Sequence, residues 1–564
     1  MDKRTLLAIA LSLLILVGYQ EMLSYFYPPP PKNIKQEQID KQKTLLDKQN
    51  VDKQNAPLES QPPAPAVAHS AKEEEVLQPT AKEEAREPEA AAASVRDLKI
   101  ENDVYSAVLT SLGGRLKSVQ LKHYPGDAGK GSPPREMVRE GGNGELPLAF
   151  QLEGKGVKVS DENVRYEVKG GDIRIEGEAQ KTIELTGKLP NGSPITKTFG
   201  FSGDTYGMEL TVSVKNAPAA ANFVSLVWTQ GHESRHDSSY YHPGPVALID
   251  RKFTYEYASK LTSEAKDLGP ARIRWGGYAD TYFLAAIIPP ENELNHLFLR
   301  ASQGTSFTKM TIPWKSGPVS YVIYVGPKDF TALNAVSPAL DRAIDFGWFH
   351  FVARPLVQIL RFSHSLTGNY GIDIILLTLF VKLLFFPLSN KSYRSMAKMR
   401  EIQPVMERLR EQYKDDREKL NKEMMELYRR YKVNPLGGCL PMIVQMPVFI
   451  GLYEALGSAI ELRQAPFFGW IQDLSQPDRL GTLNLWFIEP PGIPVLTLLM
   501  GVTMLIQQTM TPATGDPVQQ KMMMFMPVVF TVMFVNFPSG LVLYWLVNNV
   551  LSIAQQYAYQ KGLV

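Results

Sequence analysis

The chain has 564 residues, with 60 lysines and arginines against 58 acidic residues, and a single cysteine. A formal charge of +2 gives no indication of a nucleic-acid-binding protein, and one cysteine excludes an intrachain disulfide framework. The sequence contains no G-x-x-x-x-G-K-[ST] loop and no run of His, Cys and carboxylates with metal-ligand spacing. We therefore expect neither nucleotide hydrolysis nor a metal or other cofactor.

The N-terminal segment, residues 1–27, predicts a membrane anchor. Its basic start is followed by an apolar run from Thr5 to Tyr19 and by three aromatic residues that suit a membrane interface. No A-x-A cleavage site follows the run, which favours an uncleaved signal anchor over a removed signal peptide. Residues 28–96 are rich in Pro, Gln, Lys, Glu and Ala and predict a disordered tether, because they can bury little apolar surface.

Residues 97–340 predict an all-β sandwich. Short alternating runs, such as VYSAVLT from Val104 and YGMELTVSV from Tyr206, are separated by GG, NG and PG turn signals. Trp275, Tyr240 and Tyr241 would suit a ligand-binding face if they are exposed. Packing of these aromatic residues in the core is the favoured interpretation.

Residues 341–368 predict an amphipathic helix. Apolar residues that include Phe346, Trp348 and Phe351 alternate with Arg354 and Arg361, a pattern that suits the outer membrane interface. A linker helix packed on the β domain is the alternative.

Residues 369–564 predict five membrane crossings, which with the anchor make six. They are Tyr370 to Leu388, Leu436 to Gly457, Ile493 to Met510, Met522 to Phe537 and Leu541 to Tyr559. The segment after the first of these five is strongly basic, whereas residues 458–491 contain two arginines only. Since cytoplasmic loops carry the excess of Lys and Arg, both termini are predicted to be cytoplasmic and the β domain external.

The basic segment, residues 390–434, predicts a cytoplasmic helical hairpin. Apolar residues recur at steps of three and four on both sides of the break at Asp415-Asp416. A solvated face and a docking site for acidic RNA or an anionic leaflet are equally good interpretations of its charge. The basic residues that would make this docking face are Arg394, Lys398, Arg400, Arg408 and Arg410.

Lys382 lies near the middle of the Tyr370 to Leu388 stretch, where a charge costs roughly 2.5–3.5 kcal/mol on insertion scales. Other polar residues fall at similar depth: Thr378, Gln445, Thr503, Thr531 and Asn548. Snorkelling to the inner interface explains Lys382 alone, because Gln445 and Asn548 reach no interface. A hydrated cavity is the favoured interpretation, and snorkelling is the alternative.

The predicted crossings lack the groups of several other membrane functions. They contain no histidine and a single aspartate, Asp373. Intramembrane serine or aspartyl proteolysis therefore lacks its usual catalytic groups. No inverted repeat is evident, which weakens a transporter interpretation. Half of the 20 methionines cluster in the third to fifth crossings, where flexible thioethers suit variable apolar partners, although ordinary core packing explains any single one equally well.

Several sequence runs resemble the YidC family of membrane protein insertases of Gram-negative bacteria. They are GNYGIDIILLTLFVK, SMAKMREIQP, KVNPLGGCLPMIVQMPVFIGLYEAL, ELRQAPFFGWIQDLS, QQKMMMFMPVVFT and FPSGLVLYW, in this order. Together they cover most of residues 340–560, and the anchor, tether and β region resemble the rest of that family in layout. The position of Lys382 is usually an arginine in the family, so this chain keeps the charge but not the planar guanidinium.

The resemblance implies a non-enzymatic insertase of the bacterial inner membrane. It would pass hydrophobic segments of nascent proteins from the cytoplasm into lipid through a groove closed on the outside, alone or with the Sec translocon. The family's apolar slide would correspond to Met442, Met446, Phe449, Met526, Phe530 and Phe534. The hairpin would recruit substrates, and the ribosome or signal-recognition machinery are further expected partners. Anionic phospholipids are expected partners because of the basic charge of the hairpin. The chain ends at Val564 without the basic tail that aids ribosome contact in the family.

Two other functions compete with an insertase. One is a small-solute transporter or channel with an external ligand-binding sandwich. The other is an envelope scaffold that acts mainly through the β domain.

Overall fold

A computed structural model describes residues 95–127, 131–231, 243–291, 294–431, 433, 440–484, 488, 490–511 and 517–563. The predicted anchor, nearly all of the predicted tether, Tyr240, Tyr241 and Cys439 lie outside these residues. The side chain of Met442 is also outside the description.

The region predicted to be all-β forms twenty strands within the described residues. They are β1 (Asp97–Glu101), β2 (Tyr105–Thr110), β3 (Arg115–Pro125), β4 (Pro134–Glu136), β5 (Ala149–Gly154), β6 (Val157–Ser160), β7 (Glu167–Lys169), β8 (Ile173–Arg174), β9 (Gln180–Lys188), β10 (Pro194–Ser202), β11 (Gly207–Val214), β12 (Ala221–Gly231), β13 (Gly244–Ile249), β14 (Lys252–Tyr255), β15 (Lys266–Asp267), β16 (Ile273–Ala279), β17 (Phe283–Ile288), β18 (His296–Ser302), β19 (Thr305–Pro313) and β20 (Val319–Pro327).

The strands form three sheets. A nine-stranded sheet in the order β14-β13-β16-β17-β20-β11-β10-β9-β7 faces a six-stranded sheet, β15-β18-β19-β12-β5-β6, and β4-β3-β2-β1-β8 form the third sheet. Successive side chains of a strand point to opposite faces of its sheet, and one face forms the core. In β10, every second residue from Ile195 to Phe201 is accordingly buried. Trp275 is fully buried and its indole nitrogen donates to the carbonyl of Ala339 at 2.9 Å, as its interpretation as a core residue predicts.

A buried ion pair joins the three sheets. Lys197 of β10 contacts the carboxylate of Asp161 at 2.6 Å, and both side chains are fully buried. The Lys197 ammonium also donates to the carbonyls of Gly113, Gly114 and Leu148. Burial raises the pKa of Asp161, and the neighbouring ammonium opposes this rise. The pair therefore satisfies buried polar groups where the sheets meet.

The described helices begin at the end of the β domain. They are α1 (Phe330–Val336), α2 (His350–Thr367), α3 (Tyr370–Gln412), α4 (Arg417–Tyr431), α5 (Leu440–Ser458), α6 (Val495–Met510), α7 (Pro517–Phe534) and α8 (Ser539–Gln560). Helices α2, α3, α5, α6, α7 and α8 share one apolar core, whose fully buried members include Ile374, Leu452 and Met500. Each predicted crossing after residue 369 overlaps one of the helices α3, α5, α6, α7 and α8.

Helix α3 differs from the sequence prediction of a crossing followed by a separate hairpin. It continues from Tyr370 to Gln412 through Pro387 and Pro404, so that one helix supplies both elements. The Asn369 side chain caps its start by accepting from the amides of Gly371 and Ile372. The hairpin itself is present, because Met399 and Ile402 of α3 share a small core with Leu427 of α4.

The amphipathic helix is shorter than predicted. Residues 338–343 and 347–349 form 3-10 turns, and the α-helix begins at His350. Its buried side chains Leu356 and Leu360 pack in the helical core, whereas Trp348, Phe351 and Phe362 are more than two-thirds exposed. The apolar contacts of α2 are therefore with the helical core, and its opposite side presents aromatic residues outward.

Among the described residues, α3 is the one helix whose length and composition suit a membrane crossing outright. Two shorter apolar helices are α6 and residues 521–534 of α7. The six crossings stay a prediction.

Candidate functional site in the helical core

Helix α8 carries the polar side chains that connect the helical core. Five of its side chains exchange hydrogen bonds with residues of α3, α5 and α6. They are Tyr544, Asn549, Ser552, Gln555 and Gln556. Interhelical hydrogen bonds of this kind specify packing in lipid, where apolar surface supplies no driving force between helices.

Lys382 of α3 binds α8. Its ammonium donates to the hydroxyl of Ser552 at 2.6 Å, and the Ser552 hydroxyl in turn donates to the carbonyl of Asn548 at 2.7 Å. The Tyr393 hydroxyl donates to the carbonyl of Ser552 at 3.4 Å. Since Ser552 is buried, these bonds hold the ammonium beside one turn of α8.

Two further hydrogen bonds join predicted polar residues to α8. Gln445 of α5 donates to the hydroxyl of Tyr544, and Asn549 donates to the hydroxyl of Thr503 in α6 at 3.3 Å. The structure thus pairs Thr503 with Asn549, which follows the predicted residue Asn548 in an Asn-Asn pair. Asn548 contributes its backbone carbonyl to the Lys382 chain of bonds.

The remaining two predicted polar residues bond within their own helices. The Thr378 hydroxyl donates to the carbonyl of Ile374 at 2.6 Å, and the Thr531 hydroxyl donates to that of Pro527 at 2.7 Å. Thr531 also lies against Gly501 of α6, where an added Cβ would be 2.3 Å from its hydroxyl oxygen. The glycine therefore allows α6 and α7 to approach closely.

The predicted slide residues divide into two groups. Met446 of α5 and Met526 of α7 are exposed by 46% and 41%, respectively. Phe449, Phe530 and Phe534 instead surround Trp545 of α8, with ring centroids 4.7, 6.1 and 5.3 Å from the indole. The methionines are thus available to a partner, and the phenylalanines pack between helices.

Polar contacts tie together one end of the helical core. The Asp478 carboxylate accepts from the Leu496 amide at 2.7 Å and so caps α6. Arg479 donates to the carbonyls of Pro490 and Val535 at 2.7 and 2.9 Å, and to the side chain of Asn536 at 2.8 Å. These contacts fasten the loop before α6 to the end of α7.

The hairpin residues predicted to recruit substrates lie along α3. Arg394, Lys398, Arg400 and Arg408 are exposed, and Arg410 is half-buried. The structure therefore leaves four of these five side chains accessible.

Sequence reasoning missed Ser552 and Tyr544. A signal was present, because Tyr544, Asn548 and Ser552 are spaced by four residues and so share one face of a helix. The partners themselves were not predictable, since Lys382 and Ser552 are 170 residues apart in the chain.

Two family models match the chain. The model described as YidC periplasmic domain matches residues 97–359, and the model described as 60Kd inner membrane protein matches residues 362–564. The boundary between them falls within α2.

Solved structures are similar at low identity. A crystal structure of an active YidC insertase with its first transmembrane domain resolved is 20% identical, with a TM-score of 0.36, over 82% of this chain and 93% of that one. A galactose mutarotase-like protein from Lactobacillus casei is 9% identical, with a TM-score of 0.30, over 41% of this chain and 100% of that one.

Relatives with much higher identity extend over the full length. The membrane protein insertase YidC of Syntrophus aciditrophicus is 38% identical over 100% of both chains, and that of Pelobacter propionicus is 39% identical over 99% of this chain and 98% of its own. The insertase of Geobacter sulfurreducens is 38% identical over 100% of this chain and 99% of its own. With both halves also matched by family models, the chain belongs to the YidC family of membrane protein insertases.

Proposed function

We propose that Lys382 is the cationic contact for the polar flank of an entering hydrophobic segment. The observation that carries this proposal is its bond to Ser552. An ammonium has three donors, and Ser552 is the acceptor found for Lys382 among the described residues. Donors left over can meet water or a substrate carboxylate, which would shorten the distance that a polar flank crosses through hydrocarbon.

The apolar part of the substrate would move along α5 and α7. Met446 and Met526 offer exposed thioether side chains there, and such side chains adapt to varied apolar partners. The aromatic cluster around Trp545 supports this surface from behind. The proposed role is non-enzymatic, because transfer of a segment from the cytoplasm into lipid needs no bond to be made or broken.

The proposed orientation of the chain in the inner membrane follows from the distribution of its lysines and arginines. The basic hairpin and both termini lie in the cytoplasm, and the β domain is periplasmic. Nascent membrane proteins arrive alone or from the Sec translocon, with the ribosome or signal-recognition machinery on the hairpin side. The three full-length relatives, each named as an insertase, favour this function over a small-solute transporter.

Photocrosslinking to a nascent membrane protein tests the proposed path. A crosslinking amino acid at Met526 or Lys382 is expected to capture a stalled nascent chain that carries one hydrophobic segment. Leu505 of α6 is a matched control, since its side chain is exposed by 41%, as is that of Met526. Crosslinking from Leu505 at the same yield as from Met526 would contradict the path, although not the function.

A further inference from the structure

The charge of the cytoplasmic hairpin is distributed unevenly along its length. Residues 389–400 contain four basic and no acidic residues, and residues 427–432 contain three basic and no acidic residues. Between them, residues 401–426 contain six basic and eight acidic residues, a net charge of −2. The excess positive charge therefore lies at the end of the hairpin that adjoins the helical core, and the distal end is slightly acidic.

The structure brings basic residues from three helices to that end. Gln555 of α8 donates to the side chain of Asn390 at 2.9 Å, and the rings of Tyr393 and Tyr559 are 6.4 Å apart. The end of α8 is thus beside the start of the hairpin. Leu427 packs with Met399 and Ile402, which places the end of α4 there as well.

We call this surface the basal collar. Its six members are all exposed: Lys391, Arg394 and Lys398 of α3, Arg429 and Arg430 of α4, and Lys561 after α8. Among the described residues, the one ion pair that any member makes is Arg430 with Glu426 at 3.7 Å, on the surface. The collar therefore presents nearly all of its charge to a partner.

Two members of the basal collar, Lys391 and Arg394, lie at the height of a phospholipid headgroup layer. Lys391 and Arg394 follow Pro387, near the inner end of the apolar stretch, by about 6 and 10 Å of helix rise. Polar headgroups occupy roughly the 5–8 Å beyond the hydrocarbon core, and both side chains are long enough to reach that layer. A nucleic acid that approached from the cytoplasm would instead meet the distal end of the hairpin first, where the net charge is −2.

We propose that the basal collar binds the headgroups of anionic phospholipids in the inner leaflet. Phosphate oxygens accept from the lysines and arginines, and each such contact strengthens binding to an anionic surface about fivefold, or about 1 kcal/mol. The anionic surface of the leaflet repels the acidic distal end of the hairpin. This repulsion holds the distal end away from the bilayer and exposed to the cytoplasm. This proposal rests on the membrane orientation given under the proposed function and names a lipid partner of the hairpin.

Native mass spectrometry of the purified full-length chain tests the collar. After incubation in mixed micelles of detergent, phosphatidylglycerol and phosphatidylcholine, the unaltered chain is expected to retain phosphatidylglycerol preferentially. The triple variant K391Q/R394Q/K398Q is expected to retain roughly a hundredfold less of it, because each of the three lost contacts weakens binding about fivefold. The matched control K414Q/K419Q/K422Q removes equal charge from three exposed distal residues and is expected to retain as much as the unaltered chain.

Three outcomes would overturn the proposal. One is equal loss of phosphatidylglycerol in both triple variants, and another is no preference for it in the unaltered chain. The third is unchanged lipid retention in K391Q/R394Q/K398Q together with lost co-sedimentation with ribosomes, which would assign the collar to RNA. Correct folding is checked by K391R/K398R, which keeps the charge and is expected to keep the lipid. Lipid retention requires no insertion, so a failed insertion assay leaves this result standing.

Discussion

Lys382 is positioned by a residue of another helix. Its ammonium is fixed at 2.6 Å from the Ser552 hydroxyl, which is itself anchored to the Asn548 carbonyl. This arrangement suits lysine, because a single nitrogen is oriented by a single acceptor, whereas a guanidinium offers a planar fork of five donors. Ser552 is therefore a positioning residue for the proposed cationic contact.

Replacing Ser552 by alanine is expected to reduce insertion of substrates with acidic flanks by roughly two- to tenfold, because a hydrogen bond to a charged group is worth about 1.5–3 kcal/mol, part of which other acceptors replace. Ser552→Thr keeps the hydroxyl and is expected to retain insertion. The measurement is the protease-protected fraction of a reporter, in cells depleted of their own insertase. A loss equal for acidic and neutral flanks would show a structural role instead.

At the scale of elements, hydropathy predicts the helices well. The predicted crossings Ile493 to Met510 and Leu541 to Tyr559 correspond to helices Val495–Met510 and Ser539–Gln560. The continuous α3 was not predicted, because Pro387 and the onset of charge resemble a boundary, although a proline is tolerated where neighbouring groups compensate for its missing hydrogen bond.

In the β domain, too, the sequence predicts the elements better than their arrangement. Alternation predicts its strands and sandwich class, but the order β17-β20-β11 arises from pairing between distant segments. Local patterns contain no information about such pairing. The pairing of Lys197 with Asp161 escaped sequence analysis for the same reason.

Close packing of α6 against α7 depends on Gly501. An alanine Cβ there would lie 2.3 Å from the Thr531 hydroxyl oxygen, so Gly501→Ala is expected to separate the helices and lower stability by about 1–3 kcal/mol. Gly457→Ala is the control, because an added Cβ meets nothing within 4 Å there. Thermal unfolding of the purified chain, followed by tryptophan fluorescence, measures both, and equal midpoints would contradict the packing argument.

At the scale of the whole molecule, arginines join the β domain to the helical core. Arg361 of α2 donates to the Thr331 hydroxyl at 2.9 Å and lies 3.6 and 3.8 Å from the carboxylates of Asp329 and Glu461. Arg463 donates to the carbonyls of Pro125 and Gly126, each at 2.8 Å. Burial raises the pKa of Glu461 at this joint. The β domain thus contacts the loop after α5, and neither Lys382 nor Ser552 takes part in these contacts.

Deletion of residues 97–330 is expected to leave much of the insertion activity, because the residues assigned to substrate contact all lie in the helical core. Growth of insertase-depleted cells and insertion of a reporter measure this, with expression matched by immunoblot. Complete loss of growth despite normal levels of the shortened chain would favour an envelope scaffold that acts through the β domain.

The positive charge at position 382 is proposed to assist the insertion of segments that carry acidic flanks. The most direct test of this proposal compares insertion of reporters with acidic and with neutral flanks by Lys382→Arg and Lys382→Glu variants, at matched expression in insertase-depleted cells. Lys382→Arg is expected to retain insertion of both reporters, and Lys382→Glu is expected to lose the acidic-flank reporter selectively through like-charge repulsion. Equal insertion of the acidic-flank reporter by the two variants would contradict the claim.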